Sequence, residues 1–246
     1  MKSRIIVLIP ARFESVRFPG KALADIMGKP MIIHVLENAL KAFEDVFVAT
    51  DDERIEKIVK SAGGQAILTG THHQSGTERC AEAISLCGIE LDSDTIIINL
   101  QGDEPLLPSS VIKELAELFK QPDVQIASLV HPIVNPDYIS NPNRVKVVLD
   151  NYHKALYFSR SPIPYSVNKP SESRSTIMYQ HLGIYGYRLR ALQEIVKLEP
   201  GQLEMSESLE QLRWLENGFT IHCGITDYHG FGIDTPEDLE RLKLTL

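Results

Sequence analysis

A cationic loop directly after the first apolar segment is the most informative feature of the sequence. The segment Ile5–Ile9 is typical of a buried β-strand, and Pro10 ends it. Three cations and a glycine follow within a short stretch: Arg12, Arg17, Gly20 and Lys21. Such a loop combines backbone N–H groups with fixed positive charge, and both are groups that bind a polyphosphate. The alternative is an ordinary basic surface loop between a strand and a helix.

This loop is neither of the two commonest nucleotide-binding loops. The chain has no G-x-x-x-x-G-K-[ST] pattern, which argues against a P-loop. No G-x-G-x-x-G follows the first strand, which argues against a nicotinamide oxidoreductase. The pattern Arg-x(4)-Arg-x-Pro-Gly-Lys instead resembles the loop of sugar nucleotidyltransferases, which join a sugar to a nucleoside triphosphate.

The stretch H-Q-S-G-T-E-R is a second candidate for ligand contacts. Gly76 permits a tight loop, and Ser75 or Thr77 is placed to cap the helix that we predict after it. Gln74 and Arg79 carry amide and guanidinium groups, which hydrogen-bond the edges of nucleobases. The alternative is a capped loop with an ordinary surface arginine.

A third cluster, N-L-Q-G-D-E-P, follows a strongly apolar strand. Its Asp103 is therefore expected at the carboxyl end of a sheet strand, where open α/β folds bind their ligands. A carboxylate there suits Mg²⁺, which uses few protein carboxylates and completes its shell with phosphate and water. Asp234, directly before the last predicted helix, is the natural second carboxylate. The alternatives are a plain turn at Asp103 and a helix-start residue at Asp234.

Apolar segments alternate with helical patterns in the first half of the chain, which predicts a mostly parallel sheet covered by helices on both faces. The predicted strands are Ile5–Ile9, Val46–Ala49, Ala66–Leu68, Thr95–Leu100 and Ile126–Val130. The predicted helices begin near Pro30, run from Asp51-Asp52-Glu53 to Gly63-Gly64, and cover Ser109–Phe119 with Ser109 or Ser110 as the cap.

Beyond Val130 the sequence predicts a smaller, partly antiparallel lobe over about residues 131–190 of a single domain, 1–246. Its predicted features are strands at Val145–Leu149, Ala155–Phe158 and His181–Tyr187, a hairpin turn at Asp150-Asn151 and a mobile loop over Pro162–Ser175. After the lobe we predict a helix (Glu207–Glu216), a strand (Thr220–Ile225) and a last helix with Thr235 as N-cap, Pro236 at N1 and Asp238 at N3.

Charge and cysteine content narrow the classes of function. The 25 basic and 33 acidic side chains give a net charge of −8, so no general affinity for nucleic acid or anionic membranes is expected. No apolar run approaches the ~20 residues of a membrane span, and Arg12 ends the first apolar stretch too early for a signal peptide. Cys80 and Cys87 are about 10 Å apart along a predicted helix, beyond the ~7 Å limit of a disulfide. With Cys223 they are expected as buried free thiols in a cytoplasmic protein.

The three clusters together resemble one family. The chain is similar to the 3-deoxy-manno-octulosonate cytidylyltransferases (CMP-Kdo synthetases), which activate an eight-carbon sugar acid for bacterial lipopolysaccharide. The matching segments follow the family's order along nearly the whole chain: Ile9–Lys21, His73–Arg79, Leu100–Pro105, Ala155–Pro164, His181–Tyr187, Glu210–Arg213 and Gly232–Leu239. The resemblance implies a Rossmann-like three-layer core and the transfer of CMP from CTP to the anomeric hydroxyl of Kdo, with release of pyrophosphate.

The resemblance also implies a role for each matching residue. The triphosphate would be gripped by Arg12, Arg17 and Lys21. Cytosine and ribose would contact Pro10, Ala11, Gln74, Gly76 and Arg79. Mg²⁺ would bind Asp103 and Asp234. The sugar pocket would comprise Gln101, Arg160, His181, Tyr187, Glu210 and Gln211, with Arg160 paired to the sugar carboxylate.

One segment departs from the family. Its members carry a second arginine shortly after Ser159-Arg160, whereas this chain continues P-Y-S-V-N-K, so Lys169 or Arg174 is expected to replace it. These predicted sugar-pocket residues also have structural interpretations that involve no ligand. His181 and Tyr187 suit packing in a strand, and Glu210 and Gln211 suit the surface of a helix.

The lobe is expected to form a homodimer, because Leu156-Tyr157-Phe158 would otherwise leave an apolar edge exposed. Two functional alternatives stay open: the same chemistry on another sugar acid, of the 8-amino-Kdo or sialic acid type, and a non-catalytic nucleotide-binding module on the same fold. A pure binder has no need of Asp103, Asp234 and Lys21 together, which argues against the second.

Overall fold

The computed structural model describes residues 3–15, 17–166, 177–230 and 232–244, and the structural statements below concern these residues. Lys169, Arg174 and most of the loop predicted over Pro162–Ser175 lie outside them. The strands are β1 (Ile5–Ala11), β2 (Asp25–Ile26), β3 (Lys29–Pro30), β4 (Val46–Thr50), β5 (Gln65–Leu68), β6 (Ile96–Asn99), β7 (Ile126–Pro132), β8 (Lys146–Leu149), β9 (Ala155–Ser159), β10 (Tyr179–Arg188) and β11 (Ile221–Ile225). The helices are α1 (Met31–Leu40), α2 (Glu53–Ser61), α3 (Gly76–Leu86), α4 (Ser109–Glu117), α5 (Asp137–Ser140), α6 (Leu189–Ile195), α7 (Gln202–Glu207), α8 (Gln211–Glu216) and α9 (Pro236–Lys243).

One large sheet forms the centre of the molecule, with the strand order β11-β7-β10-β6-β1-β4-β5. Strands β6, β1, β4 and β5 run parallel to one another, and β11 is parallel to β7. Alternate residues of β1 face opposite sides: Val7 and Ile9 join one apolar core with α1, α2 and α4, while Ile6 and Leu8 join a second with α3, α6 and α8. The prediction of a three-layer α/β core with a mostly parallel sheet is confirmed.

The antiparallel strand β10 lies inside this sheet, between β6 and β7. The segment predicted as His181–Tyr187 is part of it. Its first residues, Tyr179 and Gln180, also pair with β8, which forms a hairpin with β9. The pairing of β10 with β7 shifts register between Leu182 and Tyr185. The antiparallel hairpin is therefore continuous with the parallel part of the sheet through β10.

Several helix ends follow the sequence. Asp52 caps α2, Ser75 caps α3, and Thr235 with Asp238 forms a capping box at α9, where Pro236 is the first helical residue. The predicted cap at Ser109 or Ser110 is wrong, because Pro108 holds the N-cap position of α4 without a side-chain bond.

The predicted helix Glu207–Glu216 is confirmed over Gln211–Glu216, as α8, but its predicted start is too early. Ser208 has a φ of 52°, in the left-handed region, and ends α7 before α8 begins.

The predicted hairpin at Asp150 is confirmed, with its carboxylate accepting hydrogen bonds from the backbone N–H groups of Tyr152 and Lys154, both at 2.8 Å.

The three cysteines are free, as predicted; Cys80 and Cys223 are buried, whereas Cys87, at the end of α3, is only half-buried. Burial raises the pKa of the Cys223 thiol to about 12 and that of Cys80 still further, so both stay protonated and unreactive at neutral pH. Of the helices in the described part of the chain, none combines the length and the apolar character of a membrane span.

Candidate active site

A cavity of about 260 Å³ opens at the carboxyl ends of β1 and β6. It is lined by all ten residues predicted for catalysis or nucleotide binding, together with Gln101: Pro10, Ala11, Arg12, Arg17, Lys21, Gln74, Gly76, Arg79, Gln101, Asp103 and Asp234. Residues from four separate parts of the sequence therefore meet at one rim of the sheet, where open α/β folds bind ligands.

The lining of the cavity includes a cluster of two carboxylates and two cations. The Lys21 ammonium donates to Asp103 Oδ2 at 2.6 Å and lies 3.6 Å from Asp234 Oδ1. Exposed Arg17 donates to the same oxygen of Asp234 at 2.9 Å. Asp103 and Asp234 thus face one point, although 131 positions separate them in the sequence (234 − 103).

Backbone contacts bring these groups together. Gly20 adopts a φ of 71°, which favours glycine, and its N–H donates to the carbonyl of Phe13 at 2.9 Å, closing the cationic loop. The N–H of Ile233 donates to the carbonyl of Asp103 at 2.9 Å and joins the two acidic segments directly. Asp234 therefore cannot move far from Asp103 without breaking a backbone hydrogen bond.

A small apolar cluster holds α9 against the rest of the site. Its buried members are Ile26, Met31, Ile233, Leu239 and Leu242. These side chains come from the β2–β3 hairpin, the start of α1, and α9 with the residue before Asp234. Burying them fixes the end of the chain that supplies Asp234.

Arg79 lies in the wall of the cavity, but its guanidinium donates most of its hydrogen bonds to other protein groups. It donates to Thr69 Oγ1 at 2.6 Å, to the carbonyl of Gly70 at 3.2 Å and to Asp51 Oδ2 at 2.7 Å. Arg79 is buried and Asp51 is partly buried, with 4% and 13% of their side-chain surface exposed. Asp51 also accepts from the N–H of Phe13 at 3.4 Å. The Arg79–Asp51 pair therefore links the cationic loop to the loop before α3.

Close backbone approach explains two glycines at the site. A Cβ on Gly76 would lie 3.2 Å from Pro10 Cγ, and one on Gly102 would lie 3.0 Å from the carbonyl oxygen of Pro10. A side chain at either position would push the end of β1 away from its neighbours. Gly102 was not among the predicted site residues, although the G-D dipeptide after an apolar strand was a usable signal.

Four other lining residues were also not predicted as site residues: Ser15, Ala22, His73 and Ser75. His73 Nε2 contacts the Glu82 carboxylate, and this hydrogen bond lowers the pKa of Glu82. Glu82 also accepts from the N–H of Gly70 at 2.8 Å. His73 is thus held in the wall by Glu82, a residue in the middle of α3, and sequence spacing alone does not reveal this contact.

Five of the six predicted sugar-pocket residues lie outside the lining of this cavity, and two of them are strand residues of β10. His181 Nε2 lies 2.9 Å from Ser128 Oγ. His181 is half-buried, and desolvation by its surroundings lowers its pKa to about 3. Tyr187 is fully buried beside Trp214 and Tyr185, and burial raises the pKa of its hydroxyl well above the ordinary value.

The other three predicted sugar-pocket residues hold neighbouring segments together. Arg160 donates to the backbone carbonyls of Glu207, Ser208 and Pro142 at 2.7, 3.2 and 3.1 Å. Gln211 is buried at the start of α8. Glu210, next to it, accepts hydrogen bonds from two hydroxyls at the start of α3.

Comparison with known proteins agrees with this geometry. A family model described as Cytidylyltransferase matches residues 6–221. A 3-deoxy-manno-octulosonate cytidylyltransferase of Thermodesulfovibrio yellowstonii is 51% identical over 96% of this chain and 95% of its own, and one of Parabacteroides distasonis is 48% identical over 97% and 96%. A solved CMP:2-keto-3-deoxy-manno-octonic acid synthetase in complex with CTP superposes with a TM-score of 0.89 and 41% identity over 99% of this chain and 98% of that one. A putative glucose-1-phosphate thymidylyltransferase of Bacillus anthracis, 15% identical with a TM-score of 0.67 over 98% and 94% of the two chains, shares the fold.

The fold is that of a nucleotidyltransferase. The chain belongs to the cytidylyltransferase family, among the 3-deoxy-manno-octulosonate cytidylyltransferases.

Proposed function

We propose that the chain transfers CMP from CTP to the anomeric hydroxyl of 3-deoxy-manno-octulosonate (Kdo), releasing pyrophosphate. The observation that carries the proposal is the convergence of Asp103, Asp234 and Lys21 in a cavity lined by the cationic loop. The relatives named for this activity, at 45–51% identity over nearly the whole chain, support the choice of substrates.

The reaction needs positioning and charge neutralisation more than covalent chemistry from the protein. The anomeric oxygen bonds to the α-phosphorus while the bond to the bridging oxygen breaks, and negative charge develops on the departing pyrophosphate. Arg12, Arg17 and Lys21 line the cavity on the side of the cationic loop, where they would bind the triphosphate and balance that charge.

The carboxylate pair fits Mg²⁺. Asp103 and Asp234 face one cationic position, and Mg²⁺ characteristically binds one or two carboxylates with phosphates and water in the other places. Within the described residues, no group of three or more His, Cys, Asp or Glu side chains is arranged to hold a metal ion through protein ligands alone. Bound at this pair, Mg²⁺ would neutralise phosphate charge and lower the pKa of the sugar hydroxyl.

The nucleoside would lie between the end of β1 and the start of α3. Pro10, Ala11, Gln74 and Gly76 line that side of the cavity, and Gln74 is exposed with its amide nitrogen 3.1 Å from the carbonyl of His72. Because Gln74 is exposed, its amide would exchange this hydrogen bond for one to a base edge. Arg79 would act mainly by holding this wall, since three of its N–H groups already bind protein acceptors.

Gln101 is the predicted sugar-pocket residue that lines the cavity, beside Asp103. We propose that it contacts the sugar acid next to the carboxylate pair. The other predicted sugar contacts lie outside the lining of this cavity and stay predictions: Arg160, His181, Tyr187, Glu210 and Gln211.

We further propose that the hairpin of β8 and β9 forms a homodimer interface. Strand β9 pairs with β8, and Leu156 on it is 59% exposed while Tyr152 in the hairpin turn is 81% exposed. The expected apolar edge is smaller than Leu156–Phe158, because Phe158 is fully buried in the core. Sedimentation velocity on the wild type and Leu156→Glu tests this: a monomeric wild type contradicts it. The three free thiols support a reducing compartment, which we propose is the cytoplasm.

Product identification tests the proposed function. The protein is incubated with CTP, Mg²⁺ and one of three sugar acids (Kdo, its 8-amino analogue or a sialic acid), and the products are measured by mass spectrometry. We expect CMP-Kdo and equimolar pyrophosphate. Product formation only from another sugar acid would change the substrate, and binding of CTP without any product from any sugar acid would favour a non-catalytic nucleotide-binding module.

A further inference from the structure

We infer that Glu210 is a positioning residue for the nucleotide: its carboxylate holds the first turn of α3, which forms one wall of the nucleotide pocket. This inference rests on the proposed function, because it concerns how that pocket binds CTP. It assigns Glu210 a task on the nucleotide side of the site, distinct from the sugar contact that its family resemblance implies.

Each oxygen of the Glu210 carboxylate accepts one hydrogen bond from the start of α3. Ser75 Oγ donates to Oε1 at 2.9 Å, and Thr77 Oγ1 donates to Oε2 at 2.8 Å. Ser75 is also the N-cap of α3, and its hydroxyl oxygen accepts from the N–H of Glu78 at 3.2 Å. The carboxylate therefore orients the hydroxyl that caps the helix.

The turn held in this way is part of the pocket wall. Ser75 and Gly76 line the cavity. Gly76 packs so closely on the end of β1 that an added Cβ would lie 3.2 Å from Pro10 Cγ. Because Pro10 also lines the cavity, a shift of the first turn of α3 would change the distance between the two surfaces that we propose enclose the nucleoside.

The site requires a carboxylate. Two hydroxyl donors need two acceptors, which the carboxylate provides, whereas a glutamine offers one acceptor oxygen and one donating NH₂ group. The carboxylate also lies at the N-terminus of α3, an eleven-residue helix whose dipole favours negative charge there. Burial raises the pKa of Glu210, and the hydrogen bonds from Thr77 and Ser75 oppose that shift.

Glu210 reaches α3 from a firmly held segment. It directly precedes α8, whose Arg213 makes two hydrogen bonds to the carboxylate of Glu204 on α7, at 2.6 and 2.7 Å. Trp214 on the same helix is buried against Tyr185 and Tyr187. The carboxylate is thus fixed independently of α3 and is able to act as an anchor for it.

Calorimetric titration with CTP and Mg²⁺, without any sugar acid, tests the inference. Glu210→Gln leaves one hydroxyl without its acceptor, so we expect the Kd for CTP to rise about tenfold or more. Thr77→Val removes one of the two donors at nearly constant shape and should weaken CTP binding in the same direction. Thr77→Ser keeps the hydroxyl and should restore the Kd to within about twofold of wild type. Glu216→Gln is the matched control on α8, because Glu216 lies exposed at the other end of that helix, and its Kd should equal that of wild type.

The outcomes separate the inference from the proposed function. A normal Kd for CTP in Glu210→Gln, with a raised KM for the sugar acid, would overturn the inference and assign Glu210 to the sugar pocket. Equal losses in Thr77→Ser and Thr77→Val would also overturn it, because shape rather than the hydrogen bond would then matter. If Glu210→Gln fails to fold, the Thr77 pair decides alone. Failure of the wild type to bind CTP would instead refute the proposed function itself.

Discussion

Replacing Lys21 with alanine removes the ammonium group that lies between Asp103 and Asp234, 2.6 Å from the nearest oxygen of one and 3.6 Å from that of the other. Two effects follow, and their sizes differ. The folded protein loses an ion pair, and the reaction loses a cation placed where charge develops on pyrophosphate.

The loss of stability should be small. Lys21 is 17% exposed, but its partners are 28% and 47% exposed, so solvent screens the pair. Partly exposed ion pairs are worth about 0–1 kcal/mol, and a loss of about 1 kcal/mol lowers the Tm of a domain of this size by ~2–4 °C. The loss of turnover should be much larger, about 2.7–4 kcal/mol or roughly 100- to 1,000-fold, by analogy with the removal of one oxyanion donor.

Lys29→Ala is the matched control. Lys29 donates to Glu37 at 2.7 Å, both side chains are more than 40% exposed, and the pair lies outside the cavity lining. Pyrophosphate release with CTP and Kdo, together with thermal unfolding, should show a similar small loss of stability in both variants and a loss of turnover only in Lys21→Ala. Turnover within about threefold of wild type in Lys21→Ala, or an equal drop in Lys29→Ala, would refute the reasoning.

Four further predictions concern polar and charged side chains in and near the cavity. Asp103→Asn and Asp234→Asn should each abolish most activity. The double variant should lose little more, because the effects of residues that act as one unit are non-additive. Wild-type Mg²⁺ dependence of the activity of Asp234→Asn would disprove a shared site. Gln74→Ala should reduce the preference for CTP over UTP. Arg79→Ala should lower the free energy of unfolding in urea by about 3–5 kcal/mol, because it leaves the Asp51 carboxylate without its cation. A near-normal urea midpoint for Arg79→Ala would contradict this. His181 has a pKa lowered to about 3 from an ordinary 6.5, so the unfolded chain binds the extra proton first and stability falls as the pH drops from 6.5 toward 3. The fall approaches ~1.4 kcal/mol per pH unit, and His181→Gln should flatten it; an identical slope in the two proteins would count against a neutral His181.

The convergence of Asp103 and Asp234 was predictable because a strand end and a helix start share the rim of a parallel sheet. Helix caps such as Ser75 and Thr235 were predictable because they depend on residues within one turn. These are local or layer-level rules, and the sequence alone carries them.

Pairings between distant segments were not predictable in the same way. The alternation of residues in β10 indicates a strand, but it does not reveal that the strand enters the sheet between β6 and β7. The three hydrogen bonds of Arg79, and the two that Glu210 accepts from α3, join groups that no spacing rule relates. The break at Ser208 needs a left-handed φ that serine adopts only when its surroundings impose it.

Pyrophosphate release with each of CTP, ATP, GTP and UTP, in the presence of Kdo and Mg²⁺, tests the central claim most directly. The account predicts rapid release with CTP, much slower release with the other three nucleotides, and no release when Kdo is omitted. Absence of release with CTP and Kdo, or equal rates with all four nucleotides, would contradict the assignment of this cavity as a cytidylyltransferase active site.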